Sequence, residues 1–310
     1  MRILVTGGAG YIGSVLVPRL LEAGHDVAVL DSFMYRQPSL AAYAHSERLE
    51  VVVGDIRDKQ RLDPLLQKAD VVIPLAAIVG APACDRDPFL ATSVNRDAAL
   101  NLFESLHPDQ LVLMPTTNSA YGSGDENNYC DEESPLRPLS QYAREKVAVE
   151  QALMARENSV SFRLATVFGL SPRMRLDLLV NNFVWRALED GFVVLFESHF
   201  KRNYIHVRDV AAAFSMAVER PDDFRSEIFN VGLSSANISK YELCEQIAEH
   251  IPDFVFHEAP LRQDPDQRNY VVSNKKIESR GFSPQFPLER GIAELVKGLP
   301  MFRTNLFANA

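Results

Sequence analysis

The stretch TGGAGYIG, residues 6–13, limits the fold more than any other part of the chain. It follows a short continuous apolar run, RILVT, and opens SVLVPRLLEAG, whose apolar residues recur at helical spacing and stop at a glycine. Strand, tight turn and helix therefore follow one another in the first βαβ unit. Glycines at 7, 10 and 13 remove Cβ atoms where backbone N–H groups at the helix start can approach a pyrophosphate, and the helix dipole favours the anion there. The expected nucleotide contacts are Gly7, Gly10, Tyr11, Ile12 and Gly13.

The unit then repeats. HDVAVLD and LEVVVGD read as buried second and third strands, DKQRLDPLLQKA as a helix, DVVIPLAA as a fourth strand, VNRDAALNLFESLH as a helix and QLVLMPT as a fifth strand. These strands are apolar without alternation, the pattern of a parallel sheet covered on both faces. QYAREKVAVEQALMARE reads as the next helix and VSFRLATVFG as one strand. After that the rhythm weakens: MRLDLLVNNFVWRALEDG looks helical, and the return from RNYIHVRDVAAAFSMAVE to EIFNVGL adds a helix and strand to the sheet. YELCEQIAEHI and LERGIAELVKGL are helical patterns among Pro-rich connections. The expected fold is α/β, a doubly wound parallel-sheet Rossmann domain (1–165 and 204–233) with a smaller mixed α/β C-terminal substrate lobe (166–203 and 234–310). The site is expected in the cleft between them.

Composition narrows the function. A chain of 310 residues, 46% hydrophobic, can fill a sizeable core, and its net charge of −9 with scattered basic residues gives no footprint for nucleic acid. No apolar stretch approaches about 18 residues and no leader precedes the first strand, so neither a membrane span nor secretion is expected. Cys84, Cys130 and Cys244 are widely spaced, fit no metal pattern and leave an odd one over, which points to reduced thiols in a cytoplasm and no metal.

Asp31 closes the second strand, 18 positions after Gly13. A carboxylate there can accept both ribose hydroxyls and repel a 2′-phosphate, which selects NAD over NADP; a helix-cap or turn aspartate is the competing reading. Asp55, after the third strand, can meet an adenine amino group with Ile56 against the ring, and a plain turn aspartate competes there too. In QYAREK, Tyr142 and Lys146 stand at i and i+4 on one helix face. A lysine so placed can hydrogen-bond a nicotinamide ribose and lower the phenol's pKa from about 10 towards neutrality. Tyr142 then takes a hydroxyl proton as hydride leaves the carbon.

Together TGGAGYIG, GDIRD, PLAA, SVNRDAALNL, TTNSAYG, YAREK and RNYIHVRDV resemble an extended short-chain dehydrogenase/reductase of the nucleotide-sugar epimerase/dehydratase type, along nearly the whole chain. The resemblance implies NAD as cofactor and a nucleotide-sugar substrate. It adds Leu75, Ala76, Ala77 and Asn95 to the cofactor site, and makes Thr117, four positions before Tyr121, the hydroxyl that polarises the substrate alongside Tyr142 and Lys146. It implies a phosphate-binding Arg202, with Arg262 or Arg268 as a bidentate partner. Arg173 and Arg175 fall near the lobe junction, with Asn182 as a phosphate or ribose contact, and His206 reads as structural. A homodimer through a four-helix bundle is also implied, and the helices at 95–106 and 142–156 offer an apolar stripe that includes Ala98, Leu102, Val149 and Leu153.

Departures from the family pattern bear on the reaction. Sugar 4,6-dehydratases resemble T-D-E-V-Y-G, where an acid and a base beside the threonine expel the C6 hydroxyl and take the C5 proton. Here Asn118 and Ser119 stand there as expected substrate contacts, so loss of water is not expected. Thr166, a further expected substrate contact, replaces the asparagine usual in galactose-type epimerases, and Pro74 the common histidine before LAA. TTNSAYG, FRLATVFGLSPRMRLDLLVN and HFKRNYIHVRDV resemble a bacterial subgroup that includes GDP-manno-heptose C4-dehydrogenases. The expectation is an NAD-dependent oxidoreductase that oxidises a C4 hydroxyl of a GDP-heptose-like substrate. A 4-epimerase is the alternative, and a catalytically silent NAD(H)-binding sensor or scaffold is a third reading.

Overall fold

A computed structural model of the chain describes residues 1–122, 129–259 and 268–302. Seven strands, β1 (Arg2–Thr6), β2 (Asp26–Asp31), β3 (Leu49–Val53), β4 (Val71–Pro74), β5 (Leu111–Thr117), β6 (Ser159–Leu164) and β7 (Glu227–Val231), form one sheet in the order β7-β6-β5-β4-β1-β2-β3. Every pairing is parallel. Ile3, Val5, Val29, Leu113 and Phe162 pack on one face with the helices Gly13–Glu22 and Val207–Glu219. Leu4, Leu30, Val72, Val112 and Met114 pack on the other with the helices Lys59–Leu66, Ala98–Glu104 and Gln141–Leu153. Covering both faces suits the apolar runs of β1, β2, β4 and β5. β3, expected as a buried strand, is instead the sheet edge, with Val51 and Val53 exposed. The strand order reverses between β1 and β4, and crevices at such switch points are where α/β sheets bind ligands.

The run VSFRLATVFG is not one strand. β6 ends at Leu164, the Ala165 amide donates to the Val231 carbonyl at 2.9 Å, and Thr166–Phe168 joins a second sheet. In that sheet Lys201–His206 lies between Thr166–Phe168, parallel, and Asn237–Ser239, antiparallel. Its core, including Phe168, Val180, Tyr204, Leu243 and Ile292, is separate from those of the large sheet. The helix expected across MRLDLLVNNFVWRALEDG forms only over Leu179–Glu189, after a loop that lies against the glycine turn. His206 caps the helix Val207–Glu219, is wholly buried, stacks on Phe286 and hydrogen-bonds Glu294 at 2.6 Å.

The stripe Ala98, Leu102, Val149 and Leu153 is buried in this protomer's own core. It packs against the sheet, so these four residues cannot carry a dimer contact. Helical periodicity shows that a face is apolar, not what covers it.

The helix Gln141–Leu153 is fixed to the sheet by an ion pair. Arg163, on β6, meets Glu150 at 2.6 Å with both side chains about as buried as the core. Glu150 also accepts from Thr116 Oγ1 at 2.9 Å and Ser161 Oγ at 2.6 Å. Arg163 donates to Tyr121 Oη at 3.0 Å, and Tyr121 donates to Asn230 Oδ1 at 2.7 Å. Burial disfavours the guanidinium charge, yet the bonds to Glu150 and Tyr121 hold its pKa above the ordinary arginine value. Glu150→Ala leaves Arg163 buried and uncompensated, and should cost about 3–5 kcal/mol in urea unfolding. The double change Glu150→Leu with Arg163→Met should recover most of that loss. A single-variant cost below about 1 kcal/mol, the scale of an exposed pair, contradicts this account.

Candidate active site

The glycine turn is built by close approach. Gly7 has φ +69°, and a Cβ there would lie 2.6 Å from the Ala76 nitrogen and 2.8 Å from the Leu75 carbonyl carbon. A Cβ on Gly13 would lie 2.5 Å from the Gly8 oxygen. The turn is thus pressed against Leu75 and Ala76 at the end of β4, and the helix start against the turn. The N-cap Ile12 has no side-chain cap, and among the described residues the Tyr11 and Ile12 amides donate to no protein group. Asp31 accepts from the Ala9 amide at 2.9 Å and the Phe33 amide at 2.8 Å, which sets its carboxylate at the rim of the turn. A cradle without Cβ atoms, free amides at a helix N-terminus and a rim carboxylate fit NAD, with the turn at the pyrophosphate and Asp31 at a ribose.

Other expected cofactor residues have protein partners. Tyr11 Oη donates to the Gly169 carbonyl at 2.6 Å and accepts from Asn181 Nδ2 at 3.1 Å, so its hydroxyl ties the two lobes. Ile56 is buried against the large sheet, and Asp55 pairs at 2.7 Å with Arg57, whose hydrogen bond holds its carboxyl below the usual range. Asn95 grips the backbone of Ile78 on both sides, at 2.8 and 2.9 Å, and so anchors the segment that follows Ala77.

At the other end of the crevice the helix Gln141–Leu153 begins at Ser140, which caps Ala143, and packs on β5 and the turn after it. Tyr142 lies against the apolar group formed by Ile78, Cys84 and Ala91. Lys146 is buried, and its Nζ donates to the Pro115 carbonyl at 3.3 Å. The expected lowering of the phenol by Lys146 is not found. Burial pushes Tyr142 up to about 12, and the cations that oppose the rise are Arg175 and Arg268. Burial also brings Lys146 down to about 8, against the pull of Glu145. Removal of water is the largest cause of the shift at each group.

Thr117 ends β5 and caps the 3-10 turn Asn118–Tyr121: its Oγ1 accepts from the Ser119 amide at 3.1 Å and donates to Ser119 Oγ at 2.9 Å. Arg268 reaches back from the C-terminal lobe to donate to the same Ser119 Oγ. Arg202 is buried in the middle strand of the second sheet, and both it and Arg268 act on the Tyr204 phenol. Arg262 lies outside the described residues. Arg175 is paired with Asp177, and its guanidinium stands 3.7 Å from where a Gly80 Cβ would be. Arg173 instead stacks on Tyr35 at 3.8 Å, beside the glycine turn. Asn182, in the helix Leu179–Glu189, donates to the Leu176 carbonyl of the preceding loop at 3.0 Å, and Thr166 pairs with Tyr204 in the second sheet.

The sequence reading passed over Asn181. It is wholly buried, accepts from the Gly169 amide at 2.9 Å and donates to the Arg175 carbonyl at 2.9 Å as well as to Tyr11. Glu150 and Arg163 were passed over too. Their signals were present: a carboxylate four residues after Lys146 on the same helix face, and an arginine as the one charged residue of its strand.

A parallel sheet with a glycine turn at its switch point, and Tyr142 and Lys146 on the helix packed against the end of β5, make up a candidate dinucleotide-dependent site. Residues 3–232 match the NAD dependent epimerase/dehydratase family, and the chain belongs to that family. It is 31% identical to UDP-glucose 4-epimerase of Mycolicibacterium smegmatis, over 96% of this chain and 98% of the relative. It is 30% identical to dTDP-glucose 4,6-dehydratase of Streptomyces niveus, over 96% and 92%. The UDP-glucose 4-epimerase of Thermus thermophilus, in complex with NAD, superposes with a TM-score of 0.84 at 28% identity, covering 97% of this chain and 99% of that one. Among the described residues no helix is long and apolar enough to cross a membrane.

Lys146 gives a test that needs no substrate. Its folded pKa of about 8 lies below the ordinary 10.5, so between those values the unfolded chain binds the extra proton and stability rises with pH. The raised phenols oppose that trend above about pH 10. Burial also raises the Cys84, Cys130 and Cys244 thiols, which makes stability fall as pH passes about 9, so the Lys146 contribution is read by difference. Between pH 8 and 10, Lys146→Met should lose stability with rising pH more steeply than the ligand-free wild type in denaturant titrations.

Proposed function

We propose that this chain is an NAD-dependent oxidoreductase of a nucleotide-activated sugar that oxidises the C4 ring hydroxyl. The observation that carries the reading is the gathering of Thr117, Tyr142 and Lys146 at the carboxyl end of β5, beside a turn where Asn118 and Ser119 leave no acid/base pair for eliminating water. NAD, when bound, supplies the hydride acceptor. Tyr142 takes the hydroxyl proton, Thr117 shares the hydrogen bond that orients that hydroxyl, and Lys146 holds the nicotinamide ribose. Arg175 and Arg268 favour the phenolate against burial. Arg202, with Arg268, is assigned to the diphosphate. The GDP-heptose-like sugar rests on the resemblance of TTNSAYG and its companion stretches. Cytoplasmic residence and a homodimer belong to the same reading; the dimer would use the outer sides of the helices, and sedimentation as a monomer at micromolar concentration would remove it.

A second reading has a specific support: relatives along the whole chain include a UDP-glucose 4-epimerase. In a 4-epimerase the ketone turns over in the site and takes the hydride back on its other face. Product mass separates the outcomes. Loss of two hydrogens marks a stable ketone, unchanged mass with altered C4 configuration marks epimerisation, and loss of water overturns the part given to Asn118 and Ser119. Tyr142→Phe should abolish turnover, Thr117→Val should slow it by less, within the roughly 10²–10⁴-fold range of such groups, and both should retain NAD. Equal affinity for NAD and NADP would remove the role given to Asp31.

A further inference from the structure

Arg173 is a half-buried cation without an anion. Among the described residues no carboxylate lies within ion-pair distance of it, and the nearby Asp177 is taken by Arg175. Its Nε is buried with no hydrogen-bond partner, and its Nη1 makes a long bond of 3.4 Å to the neighbouring Met174 carbonyl. Burial disfavours the charge and lowers its pKa. The guanidinium lies on the Tyr35 ring at 3.8 Å, a contact that attracts a cation but neutralises none of its charge. The loop carrying Tyr35 is bent to bring it there: Phe33 at φ +50° and Arg36 at φ +54° are left-handed, which is rare for bulky side chains. Such conformations gather at ligand clamps. Both sides of the contact are tied to the glycine turn. Asp31, four residues before Tyr35, accepts from the Ala9 and Phe33 amides, and Ser39 Oγ donates to the Ala9 carbonyl at 2.7 Å. On the other side the Arg173 amide donates to Ser14 Oγ at 3.4 Å, in the first turn of the helix, and Ser171 Oγ donates to the Tyr11 carbonyl at 2.7 Å.

We propose that Arg173 is a cofactor-binding residue, a cation lent by the second lobe to the pyrophosphate of NAD at the glycine turn and held in place against the ring of Tyr35. A dinucleotide pyrophosphate carries two negative charges. The free amides and the helix end meet it with about half a unit charge, which leaves most of it unbalanced. A guanidinium brings a full charge and a planar fork that can donate to two phosphate oxygens at once, and the unpartnered Nε belongs to that fork. The contact also explains why a cation is kept half-buried with no carboxylate beside it: its anion arrives with the cofactor. Because the groups involved lie on the cofactor side of the crevice, the inference depends on NAD and not on the reaction proposed above.

The test titrates NAD and ADP-ribose into the full chain, without sugar, at low and high salt. ADP-ribose keeps the pyrophosphate and lacks the nicotinamide, so Arg173→Met should weaken both ligands alike, by about 10- to 100-fold, the scale of a hydrogen bond between charged groups. Wild-type affinity should fall more steeply with salt than that of the variant, a difference that a purely structural role would not produce. Tyr35→Ala should weaken both ligands by less, and Tyr35→Phe, which keeps the ring, should bind them as the wild type does. Arg173→Gln reads the same comparison if the methionine variant does not fold. Unchanged affinity for both ligands in a folded variant overturns the inference, and so does a loss confined to NAD, which would put the guanidinium at the nicotinamide end. The expected losses in a protein that oxidises no nucleotide sugar would sink the proposed reaction and leave Arg173 at the pyrophosphate.

Discussion

The buried pair of Arg163 and Glu150 governs where the candidate site can form. Tyr142, Lys146 and Glu150 follow at i, i+4 and i+8 on one helix face, and only the last is anchored by charge to a neighbouring strand. With Glu150 held by β5 and β6 together, the rotation of the helix about its axis is fixed, and Lys146 arrives under the Pro115 carbonyl. Buried ion pairs are poor sources of net stability because desolvation offsets their attraction. What this one supplies is orientation. Tyr121 extends the network to Asn230 on β7, so three neighbouring strands of the sheet share it.

Much of the large sheet was legible in the sequence because its signals are local. A glycine turn between an apolar run and an amphipathic helix needs no distant partner to be read, and β1 to β5 each end near a glycine, a carboxylate, a proline or a hydroxyl. The division of VSFRLATVFG was not legible, since both halves are apolar and β-branched. The change of sheet depends on Val231, more than sixty residues away, holding the Ala165 amide. The stripe of Ala98, Leu102, Val149 and Leu153 failed for the converse reason: its periodicity was correct and its partner was the chain itself.

The candidate site was legible by residue and less so by environment. Thr117, Tyr142 and Lys146 belong to elements packed on one another, but charge arithmetic on a bare helix gives the wrong direction for the phenol, because the sequence carries no measure of desolvation. Arg173 and Arg175 are two residues apart and serve different places, one stacked on Tyr35 by the glycine turn and the other facing Gly80. Their loop is organised by Asn181, which the reading in terms of a ligand-binding Asn182 passed over.

The hydroxyl of Tyr11 has a mechanical meaning. The chain passes between the large sheet and the second one at Ala165, at the helix after His206 and again between Val231 and Asn237. Tyr11, bonded to Gly169 and Asn181, adds a side-chain tie from the glycine turn itself, beside those of Ser171 to Tyr11 and Ser14. The glycine turn thus does two jobs at once: its backbone lines the crevice, and the tyrosine within it clamps the second sheet to the first.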